Sequence, residues 1–82
     1  MRLDKYLKVS RLIKRRTLAN EACDAGKVTV NGKIARASYD VKPEDVITVT
    51  LGTRCFRARV LSVQETVMKN DAAMLYELLP DG

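Results

Sequence analysis

Gly26-Lys27-Val28-Thr29-Val30-Asn31-Gly32-Lys33-Ile34-Ala35-Arg36 is the stretch on which the fold turns. Asn-Gly between two alternating segments is the strongest short-range hairpin signal, because both turn positions need positive φ. Val28 and Val30 then face one way, and Ile34 is expected to meet them from the returning strand. Gly26 reads as the left-handed cap of a preceding helix.

Upstream, a helix is expected over residues 16–25, with Leu18/Ala22 and Ala19/Cys23 as its buried stripe. Residues 10–14 form a connection whose Leu12 and Ile13 plug the core. A first helix covers roughly residues 2–9: Leu3 and Leu7 lie at i, i+4 with Tyr6 beside them, while Arg2, Lys5 and Lys8 fall off that face. Asp4 in the first turn suits the positive end of the helix. Downstream, Pro43-Glu44-Asp45 is a turn, and Ile47, Val49 and Leu51 alternate along a strand over 46–51. Phe56, Ala58 and Val60 alternate with Arg57 and Arg59 in a strand near 55–63. Lys69-Asn70-Asp71 reads as a loop, Met74 to Leu79 as a last strand and Pro80-Asp81-Gly82 as a tail. The expected fold is α+β: two N-terminal helices packed on a small β-sheet begun by the Asn-Gly hairpin, with a C-terminal strand extension.

Eighty-two residues make one domain with a modest core, too small for a large catalytic cleft. No apolar run reaches about 18 residues, and no apolar segment follows Met1-Arg2-Leu3-Asp4, so neither a membrane span nor a signal peptide is expected. The cytoplasm is the expected location. Histidine is absent, and Cys23 and Cys55 are too few for a metal site. A disulfide between them runs against a cytosolic setting, and Cys23 reads as a small buried thiol. There is no Gly-rich phosphate loop and no serine-nucleophile motif. Asp40, Glu44 and Asp45 beside a Pro turn read as solvated surface rather than a catalytic pair. No enzyme activity, cofactor or metal is expected.

Charge is the functional signal. Residues 1–36 hold ten Lys/Arg against three acids, a balance of +7, while residues 37–82 carry −2. A basic half joined to a mildly acidic one implies a single polyanion-facing surface. Lys14, Arg15 and Arg16 open the second helix while Glu21 and Asp24 close it, the reverse of what the helix dipole prefers. A phosphate at that N-terminus would remove the conflict; a salt-screened charge run with no partner is the plainer alternative. Arginine at 2, 11, 15 and 16 suits bidentate phosphate contacts. Tyr6 could stack on a base or sit in the core beside Leu3. Arg57 and Arg59 could extend the patch or simply blunt an edge strand. Aromatic content of 5% disfavours single strands read by stacking, so structured RNA read through shape and backbone fits better.

Arg2-Leu3-Asp4-Lys5-Tyr6-Leu7, Lys14-Arg15-Arg16-Thr17 with Ala19, Gly26-Lys27-Val28, Val30-Asn31-Gly32, Val41, Asp45 and Ile47-Thr48-Val49 resemble the RNA-binding domain named after small-subunit ribosomal protein S-four. The resemblance covers about residues 1–50 of one domain spanning 1–82, leaving 51–82 as a β extension. With no second domain, the chain resembles the stand-alone branch of that family. That branch holds heat-shock recycling factors and shorter ribosome quality-control factors, and the acidic C-terminal end with Glu77 and Asp81 places the chain nearer the second. The resemblance implies binding to large-subunit rRNA and to peptidyl-tRNA on a large ribosomal subunit. It further implies work beside the elongation factor that adds an alanine tail to stalled nascent chains. RNA-contacting arginines of the family match Arg2 and Arg16, with Lys14 and Arg15 in the same motif. Arg15 stands where relatives often have Ser or Thr, which removes a capping side chain and adds a charge.

The expected site is therefore Arg2, Arg11, Lys14, Arg15 and Arg16 on phosphates, with Lys5, Lys8, Lys27, Lys33 and Arg36 as an outer ring on a monomer. Two other classes compete. A winged-helix DNA regulator needs a third helix for which there is no room before residue 27. An RNA-modifying enzyme needs a fused catalytic domain.

Overall fold

The computed structural model describes residues 1–63 and 75–79. They form α1 (Leu3–Val9), α2 (Arg16–Asp24), β1 (Val28–Val30), β2 (Lys33–Ile34), β3 (Val46–Leu51), β4 (Arg54–Val60) and β5 (Tyr76–Leu79). The strands make one antiparallel sheet in the order β2-β1-β3-β4-β5. The fold is α+β. The expected loop at Lys69-Asn70-Asp71, the start of the last strand at Met74 and the Pro80-Asp81-Gly82 tail lie outside the described residues.

The core lies where the two helices meet one face of the sheet. Leu3, Tyr6 and Leu7 of α1 and Ala19, Ala22 and Cys23 of α2 pack with Val28, Val30, Ile47, Val49 and Val60. Ile13 plugs this core from the connection and Leu12 packs against it. Tyr6 is wholly buried, and its hydroxyl donates to the Leu75 carbonyl at 2.6 Å. That contact ties the helical end of the chain to the residue just before β5 and, with the ring wholly buried, rules out a base-stacking role for it.

Turn geometry follows the residues that need it. Asn31 (φ 54°) and Gly32 (φ 84°) occupy the left-handed region between β1 and β2. The two-residue turn sets Val30 opposite Lys33 and Thr29 opposite Ile34. Ile34 therefore shares the face of Thr29, not that of Val28 and Val30, and is 71% exposed. The expected meeting of Ile34 with the two valines is wrong by one register step. Leu18 is likewise not part of the α2 stripe, being 49% exposed. The buried positions 19, 22 and 23 follow the i, i+3, i+4 pattern of small side chains, and Leu18 sits at the edge of that narrow face.

The N-terminal segment is stitched to the loop after β2. The Leu3 amide donates to the Tyr39 carbonyl (2.8 Å), the Asp4 amide to the Ala37 carbonyl (3.2 Å), and the Val41 amide to the Met1 carbonyl (2.8 Å). The first two satisfy N–H groups that the start of α1 leaves without helical partners. They also fix where Arg2 stands relative to Arg36. Below them, Asp45 is buried and accepts from Asn31 Nδ2 (3.1 Å), the Tyr39 hydroxyl (2.9 Å) and the Lys42 amide (3.0 Å). That carboxylate binds the hairpin turn to the Pro43-Glu44 turn, where Glu44 takes φ 77°. It is a structural buried group rather than solvated surface. Asp40 pairs with the N-terminal ammonium at 2.7 Å.

Candidate nucleic-acid interface

The site is built around a carboxylate. Asp4 lies in the first turn of α1 with its side chain only 3% exposed, while Arg2 and Arg16 are 52% and 48% exposed. Its Oδ1 accepts from the Lys5 amide at 2.8 Å and from Arg2 Nε at 3.2 Å. Its Oδ2 accepts from Asn20 Nδ2 at 3.3 Å and Arg2 Nη2 at 3.4 Å, and stands 3.4 Å from Arg16 Nε. Arg16 and Asn20 can converge on one oxygen because they are i, i+4 on α2. Burial alone would raise the Asp4 pKa. Hydrogen bonds from Asn20, Arg2, the Lys5 amide and Arg16 outweigh it and hold the carboxyl below its ordinary value.

Two positive charges converge on one buried negative charge, so the cluster keeps a net excess of one cation at the surface. Arg16 turns Nε toward Asp4, Arg2 turns Nε and Nη2, and with both side chains about half exposed each guanidinium keeps N–H donors that this carboxylate does not use. Guanidinium supplies five donors in a fixed fork, so the outward groups remain suited to phosphate oxygens.

Around this centre cations outnumber acids, with Glu21 beside Arg16 and Asp24 beside Arg2 and Arg36 in the clefts. Arg15 is the N-cap of α2, with extended backbone and no side-chain capping bond, and the first turn holds no acid. Arg11 sits in the connection at φ 64°, and Arg11, Lys14 and Arg15 are exposed and form no ion pair among the described residues. The dipole conflict at the start of α2 is partly answered inside the chain, because Asp4 lies beside Arg16. The conflict is thus weaker support for a phosphate than the sequence suggests. Arg2 and Arg36 line one cleft of about 580 Å³ with Asn20, Ser38 and Gly26. Lys33 and Arg36 line the next cleft along the hairpin, with Ile34 and Tyr39. Lys5 is half-buried on α1, and Lys8 is exposed one residue before its end. Lys27 stands apart from these clefts, lining a separate one with Ile13, Leu18 and Leu51. Arg59 does not extend the patch, because it pairs with Glu77 of β5. Among the described residues, no group of three or more His, Cys, Asp or Glu side chains is placed to hold a metal ion. None of the described helices is long and apolar enough to cross a membrane.

Sequence reasoning missed Asp4 as the centre and Asn20 altogether. The signal was present: Arg16 and Asn20 share a helix face, and that face must meet α1 if Ala19 and Cys23 are core.

Residues 1–47 match the S4 domain family. The RQC P-site tRNA stabilizing factor of Bacillus subtilis (strain 168) is 51% identical over 81 residues, which is 99% of this chain and 94% of that protein. The chain belongs to the S4 domain family, and within it to the group of the RQC P-site tRNA stabilizing factors. The factor so named from Streptococcus pneumoniae is 46% identical over 81 residues, 99% of this chain and 92% of that protein. Among solved structures, the trimeric structure of Vibrio cholerae Heat Shock Protein 15 superimposes with a TM-score of 0.88 at 30% identity, over 96% of this chain and 81% of that one. The S4 match takes in both helices, the hairpin, the loop after it and the start of β3, and so covers Asp4, Arg2, Arg16 and Arg36. The rest of β3, with β4 and β5, lies beyond it.

Proposed function

We propose that this chain is a non-catalytic, cytoplasmic factor that binds large-subunit rRNA and tRNA and acts in ribosome quality control. On this reading it associates with large ribosomal subunits that still hold peptidyl-tRNA, keeps that tRNA in the P-site, and works beside the elongation factor that adds the alanine tail. It acts as a single RNA-binding domain and as a monomer. The observation that carries the reading is the Arg2–Asp4–Arg16 cluster, with its surplus cation aimed outward, in a half-chain of +7 charge. The names of relatives alike over nearly the whole chain support the ribosomal setting.

Arg2 and Arg16 grip phosphates at the centre, joined by Arg11, Lys14 and Arg15 at the start of α2, with Lys5, Lys8, Lys27, Lys33 and Arg36 around them. If about four to six phosphates are neutralised, affinity should fall with salt at a log–log slope of about three to five. A flat response would contradict the reading. The deciding experiment is co-sedimentation with large ribosomal subunits under stalling conditions, wild type against Arg16→Ala. Enrichment on subunits that carry peptidyl-tRNA, lost in the variant, supports it. Equal enrichment of both proteins, or association with small subunits only, refutes it.

The likeness to Heat Shock Protein 15 favours a second reading, general recycling of blocked large subunits. On that reading the chain would bind peptidyl-tRNA-bearing subunits equally well with or without the alanine-tailing factor, and deleting it would leave alanine tails unchanged.

A further inference from the structure

An acid in the middle of an anion-binding surface should weaken that surface by simple charge repulsion. The geometry of Asp4 points the other way. We infer that Asp4 is a positioning residue for RNA binding: its buried carboxylate holds Arg2 and Arg16 by their Nε edges so that their remaining N–H groups face one phosphate track. The inference rests on the RNA-binding reading above and goes beyond it by assigning a role to an acidic residue.

Three observations carry it. The carboxylate is almost fully buried while both guanidinium groups are about half exposed, so it cannot itself meet a polyanion. Its own orientation is fixed from two further sides, by the Lys5 amide at 2.8 Å and Asn20 Nδ2 at 3.3 Å. The contacts consume Nε of each arginine and one Nη2 contact of Arg2, which leaves outward donors on both. Immobilising a long side chain at an interface is unfavourable, and here two are ordered before any ligand arrives. Asn20 lines both the cleft that holds Arg16, with Glu21, and the cleft that holds Arg2 and Arg36, with Asp24, so the two arginines flank one shared side chain.

The test turns on a sign. Binding is measured to purified large ribosomal subunits carrying peptidyl-tRNA, and separately to inorganic polyphosphate, which reads the cation surface without a ribosome. Asp4→Asn removes a negative charge and keeps the shape. Positioning predicts roughly tenfold weaker binding to both probes, from two side chains no longer pre-ordered. It also predicts a salt slope smaller by about one to two units, if both contacts loosen. Charge repulsion alone predicts tighter binding and an unchanged or steeper slope, and that result would overturn the inference. The same substitution is then made in an Arg2→Ala/Arg16→Ala background. There positioning predicts no loss, or a slight gain, because Asp4 has nothing left to hold. A merely structural role predicts the same loss in both backgrounds, and this too would overturn it. Should Asp4→Asn fail to fold by circular dichroism, Asn20→Ala carries the test. It frees one side of the carboxylate and should weaken binding two- to threefold only when the arginines are present; an equal loss without them would overturn the inference. Wild type that ignores the subunits yet keeps this order of variants on polyphosphate would refute the ribosomal reading and leave the positioning role standing.

Discussion

The molecule makes two arginine–carboxylate contacts that look alike on paper and differ in outcome. At Asp4 one buried carboxylate meets Arg16 through Nε and Arg2 through Nε and Nη2, and both arginine side chains stay about half exposed. On the sheet, Arg59 meets Glu77 one to one through its terminal Nη2, and its Nε–H has no partner among the described residues. The first arrangement leaves a surplus cation with donors outward. The second neutralises itself. Net charge by half-chain separates the same two regions, +7 over residues 1–36 and −2 over 37–82. What makes a cation available to a ligand is therefore which edge of the guanidinium the fold occupies, and whether the count of charges closes.

The largest contrast between the two regions should appear in their thiols. Cys23 is buried on α2 and Cys55 is exposed on β4. Burial pushes the Cys23 thiol up to about 11, with the Asp4 and Asp24 charges adding to it. Only thiolate reacts, so at pH 8 iodoacetamide should label Cys55 at least about a hundredfold faster than Cys23. One equivalent is expected in the native protein and two in urea, read by mass spectrometry. Equal rates would mean that the helical core is open.

Next in size is the arginine comparison. Arg16→Ala should weaken binding to large subunits about ten- to a hundredfold, since a charge-assisted hydrogen bond contributes about 1.5–3 kcal/mol. Arg59→Ala should leave binding within about twofold, because Glu77 already balances its charge. Equal losses would erase the distinction drawn above. Acid strikes the same carboxylate through stability. The Asp4 pKa is lowered in the folded state, so its contribution is present above the ordinary carboxylate value of 3.8 and is lost as pH falls through the folded value. The urea midpoint of wild type should drop on going from pH 5 to pH 2. Asp4→Asn should drop less, since the Asp40 pairing with the N-terminal ammonium is common to both.

How much of this the sequence disclosed depends on whether the controlling interaction was local. Asn31-Gly32 and the alternation of Ile47, Val49, Phe56, Ala58 and Val60 announced the sheet, because turn chemistry and a two-residue period are written in consecutive residues. The helices were legible from Leu3/Leu7 and the Gly26 cap for the same reason. Ile34 was misplaced although the information was local: a two-residue turn sets it against Thr29, and counting pairs outward from the turn would have placed it on the exposed face. Basic residues of the site could be read as a charge cluster. Their organisation could not, because Asp4 and Asn20 are 16 residues apart and meet only once α1 packs on α2. Read alone, Asp4 was a helix-dipole residue, and the dipole accounts for none of its contacts with the arginines.

Tyr6 tests whether the two regions are coupled at all. Its hydroxyl donates across the fold to the Leu75 carbonyl, which also accepts from the Leu61 amide at 2.8 Å. Tyr6→Phe therefore removes one hydrogen bond without stranding the carbonyl, and should cost about 0.5–1.5 kcal/mol. For a domain of this size that is a fall in Tm of roughly 2–12 °C. RNA binding below the transition should be unchanged. A loss of binding in this variant would mean that the last strand helps set the arginine pair.

The smallest effect should come from Glu77→Gln, and its smallness is what the comparison requires. The pair with Arg59 is roughly half exposed on both sides, and such pairs contribute about 0–1 kcal/mol. Stability should shift within that range. Binding is the sharper reading. If availability is set only by local charge balance, freeing Arg59 from Glu77 adds a cation to the surface and should tighten RNA binding. If it is set by place, the freed Arg59 gains nothing, because no residue of β4 lines the clefts of Arg2, Arg16 and Arg36. The salt slope decides between them: an unchanged slope in Glu77→Gln keeps the interface on the helical side, and an increase of about 0.7–0.9 would add one phosphate contact on the sheet.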